Sequence, residues 1–67
     1  MEKLYTVSET SRILKTNVHT VYSLVDQGLL PAIKLGRLKI RDEAIEEFLK
    51  KYEGMDLSNL SDIKEIE

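Results

Sequence analysis

The 67-residue chain has no cysteine, no tryptophan, one proline and three glycines. Without cysteine, neither disulfides nor thiolate metal sites can staple a small domain together. The single histidine, His19, has no second ligand at a helical or hairpin spacing, so no metal site is expected. No apolar run approaches the ~20 residues that span a bilayer. Glu2 and Lys3, followed by alternating polar residues, do not make a signal peptide. A soluble cytoplasmic protein with no membrane partner is the expectation. The glycines, at 28, 36 and 54, are too scattered for a phosphate-cradling loop, and the carboxylates fall on faces expected to be solvated. No enzyme, no cofactor and no small-molecule substrate are therefore expected. A chain of this length buries only about 60% of the surface its unfolded state exposes, which allows one small and marginally stable domain.

What the chain does have is charge in uneven places. The net charge is −2, but residues 1–52 hold nine Lys/Arg against seven Asp/Glu, while 53–67 hold Lys64 against five acids. The stretch 32–41, AIKLGRLKIR, has four cations and no acid. Its centre, Leu35-Gly36-Arg37-Leu38, reads as two strands joined by a two-residue turn, with Gly36 at the position where a type II′ turn needs positive φ. Pairing outward from that turn sets Leu35 opposite Leu38, Lys34 opposite Lys39 and Ile33 opposite Ile40. All the apolar side chains would then share one face, while Lys34, Lys39 and Arg41 share the other and Arg37 sits at the tip. Two lysines facing each other repel unless an anion lies between them, so the hairpin points to a polyanionic partner.

The remainder reads as helices. Thr6 and Glu9 form a capping-box signature that starts a first helix at about Val7. Its packable face is Val7, Ile13 and Leu14, with small Thr10 and Ser11 between them to let a second helix approach. After Lys15-Thr16-Asn17, Asn17 is a suitable N-cap for a second helix. Val18, Val21, Tyr22 and Val25 recur there at i, i+3, i+4 and i+7, and this stripe is expected to face the core. Gly28 is placed to end the helix in the left-handed conformation. Asp42 is the expected cap of a third helix lined by Ala44, Ile45, Phe48, Leu49 and Tyr52 and closed by Gly54. Beyond it, Leu57, Leu60, Ile63 and Ile66 recur every three residues in an acidic tail, residues 55–67, read as either one more short helix or a disordered segment. The fold class expected is mainly α with a small β-hairpin. Its layout is a winged helix-turn-helix: two helices around a turn, a two-stranded wing, a third helix and the tail. Residues 1–54 make the domain.

Tyr5-Thr6-Val7, Thr20-Val21-Tyr22, Gly28-Leu29-Leu30-Pro31-Ala32 and Lys34-Leu35-Gly36-Arg37 occur in this order. In combination, from about Tyr5 to Leu49, they resemble the small excisionase-family DNA-binding proteins, which are related to MerR-type domains. The resemblance implies a recognition helix over Val18–Asp26 in the major groove of double-stranded DNA and a wing reaching the neighbouring minor groove. It also implies a role in mobile-element excision beside a recombinase, bending DNA, or in transcription regulation. The sequence departs from the family pattern at Val18 and Ser23, where relatives often carry arginine, and at Lys15, where a turn glycine is common.

The candidate DNA-binding residues follow. His19, Thr20 and Ser23 face outward on the second helix, where small hydrogen-bonding side chains reach base edges or phosphates. Asn17 exposes a helix N-terminus that suits a phosphate, and the Tyr22 hydroxyl can reach one from the edge of the stripe. Lys34, Arg37, Lys39 and Arg41 hold phosphates, with Arg37 best placed for the minor groove. So few cations imply weak binding by one copy, and hence further copies on DNA or a larger partner. A reading from another class is a protein-interaction adaptor whose hairpin docks an acidic surface.

Overall fold

The computed structural model describes residues 3–66, so Met1, Glu2 and Glu67, the last of the acidic tail, lie outside the described residues. In chain order the elements are β1 (Leu4–Thr6), α1 (Val7–Ile13), α2 (Val18–Asp26), β2 (Ile33–Leu35), β3 (Arg37–Arg41), α3 (Asp42–Tyr52), β4 (Met55–Asp56) and β5 (Lys64–Glu65). Helix, turn, helix, hairpin and helix follow in the expected order of a winged helix-turn-helix. Among the described residues, no helix is long and apolar enough to cross a membrane.

Both helix starts are set by side-chain caps. The Glu9 N–H donates to Thr6 Oγ1 at 3.1 Å and the Thr6 N–H donates to Glu9 Oε1 at 2.9 Å, closing the capping box. Asn17 Oδ1 accepts from the Thr20 N–H at 2.9 Å and caps α2. The two helices also end alike. After α2, Leu29 N–H bonds to the Leu24 carbonyl (2.9 Å) and Gly28 N–H to that of Val25 (3.0 Å), with Gly28 at φ 76. After α1, Thr16 N–H bonds to the Ser11 carbonyl (2.8 Å) and Lys15 N–H to that of Arg12 (3.2 Å). The left-handed position there, φ 55, is held by Lys15, which has a Cβ to accommodate. α1 buries Val7, Thr10 and Ser11. The two hydroxyls donate back to the Thr6 and Ser8 carbonyls at 2.9 and 2.7 Å, so small side chains admit α2 without orphaning a polar atom.

The buried face of α2 differs from the stripe expected. Val21 and Leu24 are buried, Val25 is half-buried, and Val18 and Tyr22 are 43% and 52% exposed. At 100° per residue this turns the core-facing direction by about 80° from the Val18-Val21-Tyr22-Val25 stripe. The reason lies at the helix end. The Leu29 and Leu30 amides both bond to the Leu24 carbonyl, and Leu30 enters the core with no exposure, so Leu24 is the residue drawn inward beside it. Tyr22, expected in the core, moves to solvent.

The sheet brings a second correction. β1, absent from the sequence expectation, pairs antiparallel with β3 and makes β3 the central strand of order β1-β3-β2. Ile40 lies opposite Tyr5, and the wing register sets Ile33 opposite Lys39, Lys34 opposite Leu38 and Leu35 opposite Arg37. Gly36 stands alone at the apex, φ 73. This is one residue away from the register inferred from a two-residue turn, and such a slip carries a whole strand to the other face. Ile33 (42% exposed) and Leu35 (60%) therefore share the solvent face with Arg37, Lys39 and Arg41, whereas Lys34 shares the face of Leu38 and the fully buried Ile40. The alternation is set upstream of the turn: Leu30 is buried, Pro31 exposed, Ala32 packed on the core and Ile33 exposed.

In α3 the cap is Arg41 without a side-chain bond, and Asp42 is the first helical residue, its N–H donating to the Lys3 carbonyl at 3.1 Å. Ile45 and Phe48 are buried, and the Phe48 and Tyr52 rings pack at a 46° tilt with centroids 5.1 Å apart. Leu49, expected on that face, is half exposed. The described residues of the tail contain two short strands where a helix or a disordered segment was expected. β4 pairs antiparallel with β5. Between them Asp56 Oδ1 accepts from the Ser58 N–H (2.9 Å) and hydroxyl (2.6 Å), and Leu57 and Leu60 rest against the core. Those two bonds, the hydroxyl first, hold the Asp56 carboxyl below its ordinary pKa.

Candidate nucleic-acid interface

Turning α2 about its axis decides which side chains face outward. With Val21 and Leu24 inward, His19 and Asp26 stand nearly opposite them, and Tyr22, Ser23 and Val18 flank that line. Three concave surfaces surround this face. Thr6, Ser8, Val18 and Tyr22 line a groove together with Arg37 and Leu38 of the wing. His19, Tyr22, Ser23 and Asp26 border a second with Leu38. Asn17, His19, Thr20 and Ser23 form a third, closed on its far side by Leu57, Ser58 and Leu60 of the tail. The face of α2 thus lies in a trough between the wing and the acidic ribbon.

The sequence-derived candidates do not all reach this trough. Asn17, His19, Tyr22 and Ser23 are exposed there, and Arg37 joins them from the wing tip. Thr20 is half-buried, and its hydroxyl donates to Asn17 Oδ1 at 3.1 Å, so both side chains serve the cap. Lys34 is exposed on the other face of the wing from Arg37. Lys39 is half-buried and lies near Glu9. Arg41 is set apart. It pairs with Glu43 at 2.8 Å, lines a cleft with Pro31 and Glu47, and stands roughly 13 Å along the strand from Arg37.

The electrostatics are correspondingly divided. α2 has Asp26 as its one formal charge and carries no lysine or arginine, so positive potential comes from the wing. Glu9, at the junction of α1 and the sheet, has its carboxyl held below the ordinary value. The Thr6 backbone bond is the main cause, followed by the Thr6 hydroxyl and the nearby positive charges of Arg12 and Lys39. Among the contributors to the trough that sequence reasoning missed are Val18, because it was assigned to the core, and Thr6 and Ser8, because α1 was considered only for its packing. The signal for Val18 was its place directly after the N-cap.

A family model described as a helix-turn-helix domain matches residues 4–52. The Bacillus subtilis (strain 168) protein YvgK, itself uncharacterized, is 44% identical over 48 residues, covering 72% of this chain and 15% of that protein. The Mycobacterium tuberculosis H37Rv protein named "Putative DNA-binding protein Rv0500A" is 35% identical over 49 residues, covering 72% of this chain and 63% of that protein. The chain therefore spans less than two thirds of the length of these curated relatives. No solved structure matches it. The family match runs from the first residue of β1 to the last of α3, and the chain belongs to this excisionase-like helix-turn-helix domain family.

Proposed function

We propose that the chain binds double-stranded DNA, with α2 in the major groove and the wing over the adjacent minor groove. One observation carries this reading: the solvent face of α2 and the wing-tip Arg37 line a common groove, so a helix and a cation address the same duplex from one side. A helix-turn-helix relative that carries DNA binding in its printed name supports it. His19, Tyr22 and Ser23 reach base edges, Asn17 offers the helix start to a phosphate, and Lys34, Arg37 and Lys39 hold the backbone. Arg41 is a lesser candidate because Glu43 shares its charge. Residues 1–54 are the binding unit, and 55–67 an acidic segment beside it. The biological role that fits is an excisionase-like recombination directionality factor or a small transcription regulator. Its partners are then the duplex together with a recombinase or further copies of the same chain.

The test is binding to duplex DNA across a salt series. With about four phosphates neutralised, log K falls against log salt with a slope of roughly −4. Absence of binding even at low salt overturns the reading and favours the adaptor alternative.

A further inference from the structure

The outward face of α2 has an unusual composition for a surface that would enter a groove. Its two most exposed apolar side chains, Val18 at 43% and Tyr22 at 52%, are four residues apart and so lie on the same edge of the helix. Both line the groove shared with Arg37 and Leu38. Isolated exposed apolar residues need no explanation. Here, however, the pair is flanked by the wing-tip Arg37 and by the hydroxyl-bearing Thr6 and Ser8, which favours an anionic occupant over an apolar protein surface.

Direct readout of a guanine edge uses a bidentate arginine or lysine, and that of adenine uses asparagine or glutamine. α2 contains none of these four residue types, and Asn17 is engaged in its cap. The one apolar group that a base presents in the major groove is the C5 methyl of thymine. Val18, the first residue of α2, sits at the end of a recognition helix that approaches base edges. We infer that Val18 and Tyr22 form a thymine-methyl contact, so that this chain reads its DNA by methyl groups rather than by guanine hydrogen bonds. The inference rests on the DNA-binding reading and specifies the chemistry of the same site.

Four alternating duplexes test it on the intact chain: poly(dA-dT), poly(dA-dU), poly(dG-dC) and poly(dG-5-methyl-dC). Within each pair the members differ by the major-groove methyl alone. Burying one methyl changes an equilibrium by about fourfold, so the methylated member of each pair binds about three- to tenfold tighter. Val18→Ala, an exposed substitution compatible with the helix, removes most of that ratio and leaves the salt slope unchanged. Equal binding of the dT and dU polymers overturns the inference while leaving DNA binding intact. A preference that survives both Val18→Ala and Tyr22→Ala belongs to duplex shape and overturns it too. Failure to bind any of the four overturns the DNA-binding reading itself.

Discussion

The nine residues of α2 carry one formal charge, that of Asp26, while residues 33–41 of the wing carry four, all positive. α2 displays hydroxyl, imidazole and apolar groups in a trough; the wing displays cations on a short, exposed ribbon. Phosphate contacts supply affinity and fix position, and base-edge contacts supply discrimination. On the proposed DNA-binding reading, the difference gives attraction to the wing and choice to the helix. Neither region stands alone, because Val21 and Leu24 of α2 and Ile40 of the wing belong to one buried cluster with Leu30 between them in the chain.

The largest way to break the comparison is to remove what both regions share. Ile40→Ala deletes a fully buried side chain at the centre of the sheet and should cost about 3 kcal/mol, most of the stability a domain this size has. Urea unfolding followed by circular dichroism would show α2 and the wing lost together. Ile33→Ala is the matched control. In the register inferred from sequence, Ile33 and Ile40 face each other and would cost alike. In the observed register Ile33 is 42% exposed, and its loss should cost well under about 1 kcal/mol. Similar losses for the two variants would favour the register inferred from sequence.

The next effect lies within the wing. Arg37→Ala should weaken duplex binding about tenfold at low salt and flatten the salt slope by about 0.9, as expected for one phosphate contact. Lys39→Ala should do less on both counts, since Lys39 is half-buried and Glu9 lies close to its charge. Equal losses would mean that proximity to the trough does not rank the cations, and the division between wing and helix would need redrawing.

Local rules were legible where a single residue decides. Thr6 with Glu9, Asn17 and Gly28 announced their caps, and the element order followed from them. Faces were less legible, because a face is fixed by an anchor elsewhere. The α2 stripe had four apolar residues at helical spacing, yet Leu24 won the core through Leu30, which bonds to its carbonyl. The wing register was reasoned from the turn outward, whereas buried Leu30 and the pairing of Ile40 with Tyr5 set it from the other end. β1 was missed since three residues give too short a pattern to distinguish from a helix approach. The tail was missed since its ribbon depends on Asp56-Ser58 turn bonds and on Leu57 and Leu60 meeting the core. For the candidate site, the residue types were visible, but the rotation that exposes Val18 and Tyr22 and the pairing that diverts Arg41 were not.

A smaller effect concerns the turn that holds α2 against α1. Lys15 occupies a left-handed position at φ 55, where the equivalent residue after α2 is Gly28. A Cβ costs about 1–2 kcal/mol in that conformation, offset in part by the larger entropy of glycine in the unfolded chain. Lys15→Gly should therefore stabilise the chain by roughly 0.5–1 kcal/mol and raise the urea midpoint without altering the slope. A lower midpoint would mean that the Lys15 side chain makes a compensating contribution.

The smallest effect joins the two regions through Glu9. Its carboxyl is held below the ordinary pKa by the Thr6 bonds that cap α1 and, less strongly, by the charges of Arg12 and of Lys39 on β3. A carboxyl whose folded pKa is depressed contributes stability that is complete above its unfolded value and is lost as pH falls through the folded one. Acidification should thus loosen the start of α1 in that window and no higher. Glu9→Gln should flatten this part of the pH profile while keeping a neutral acceptor for the Thr6 N–H. Lys39→Ala removes one of the lowering charges, so the Glu9 side-chain carboxyl, followed by NMR, should titrate at a slightly higher pH than in the unaltered chain. If the two titrations coincide, Glu9 does not share the Lys39 charge, and only the half-burial of Lys39 is then left to rank it below Arg37 on duplex binding.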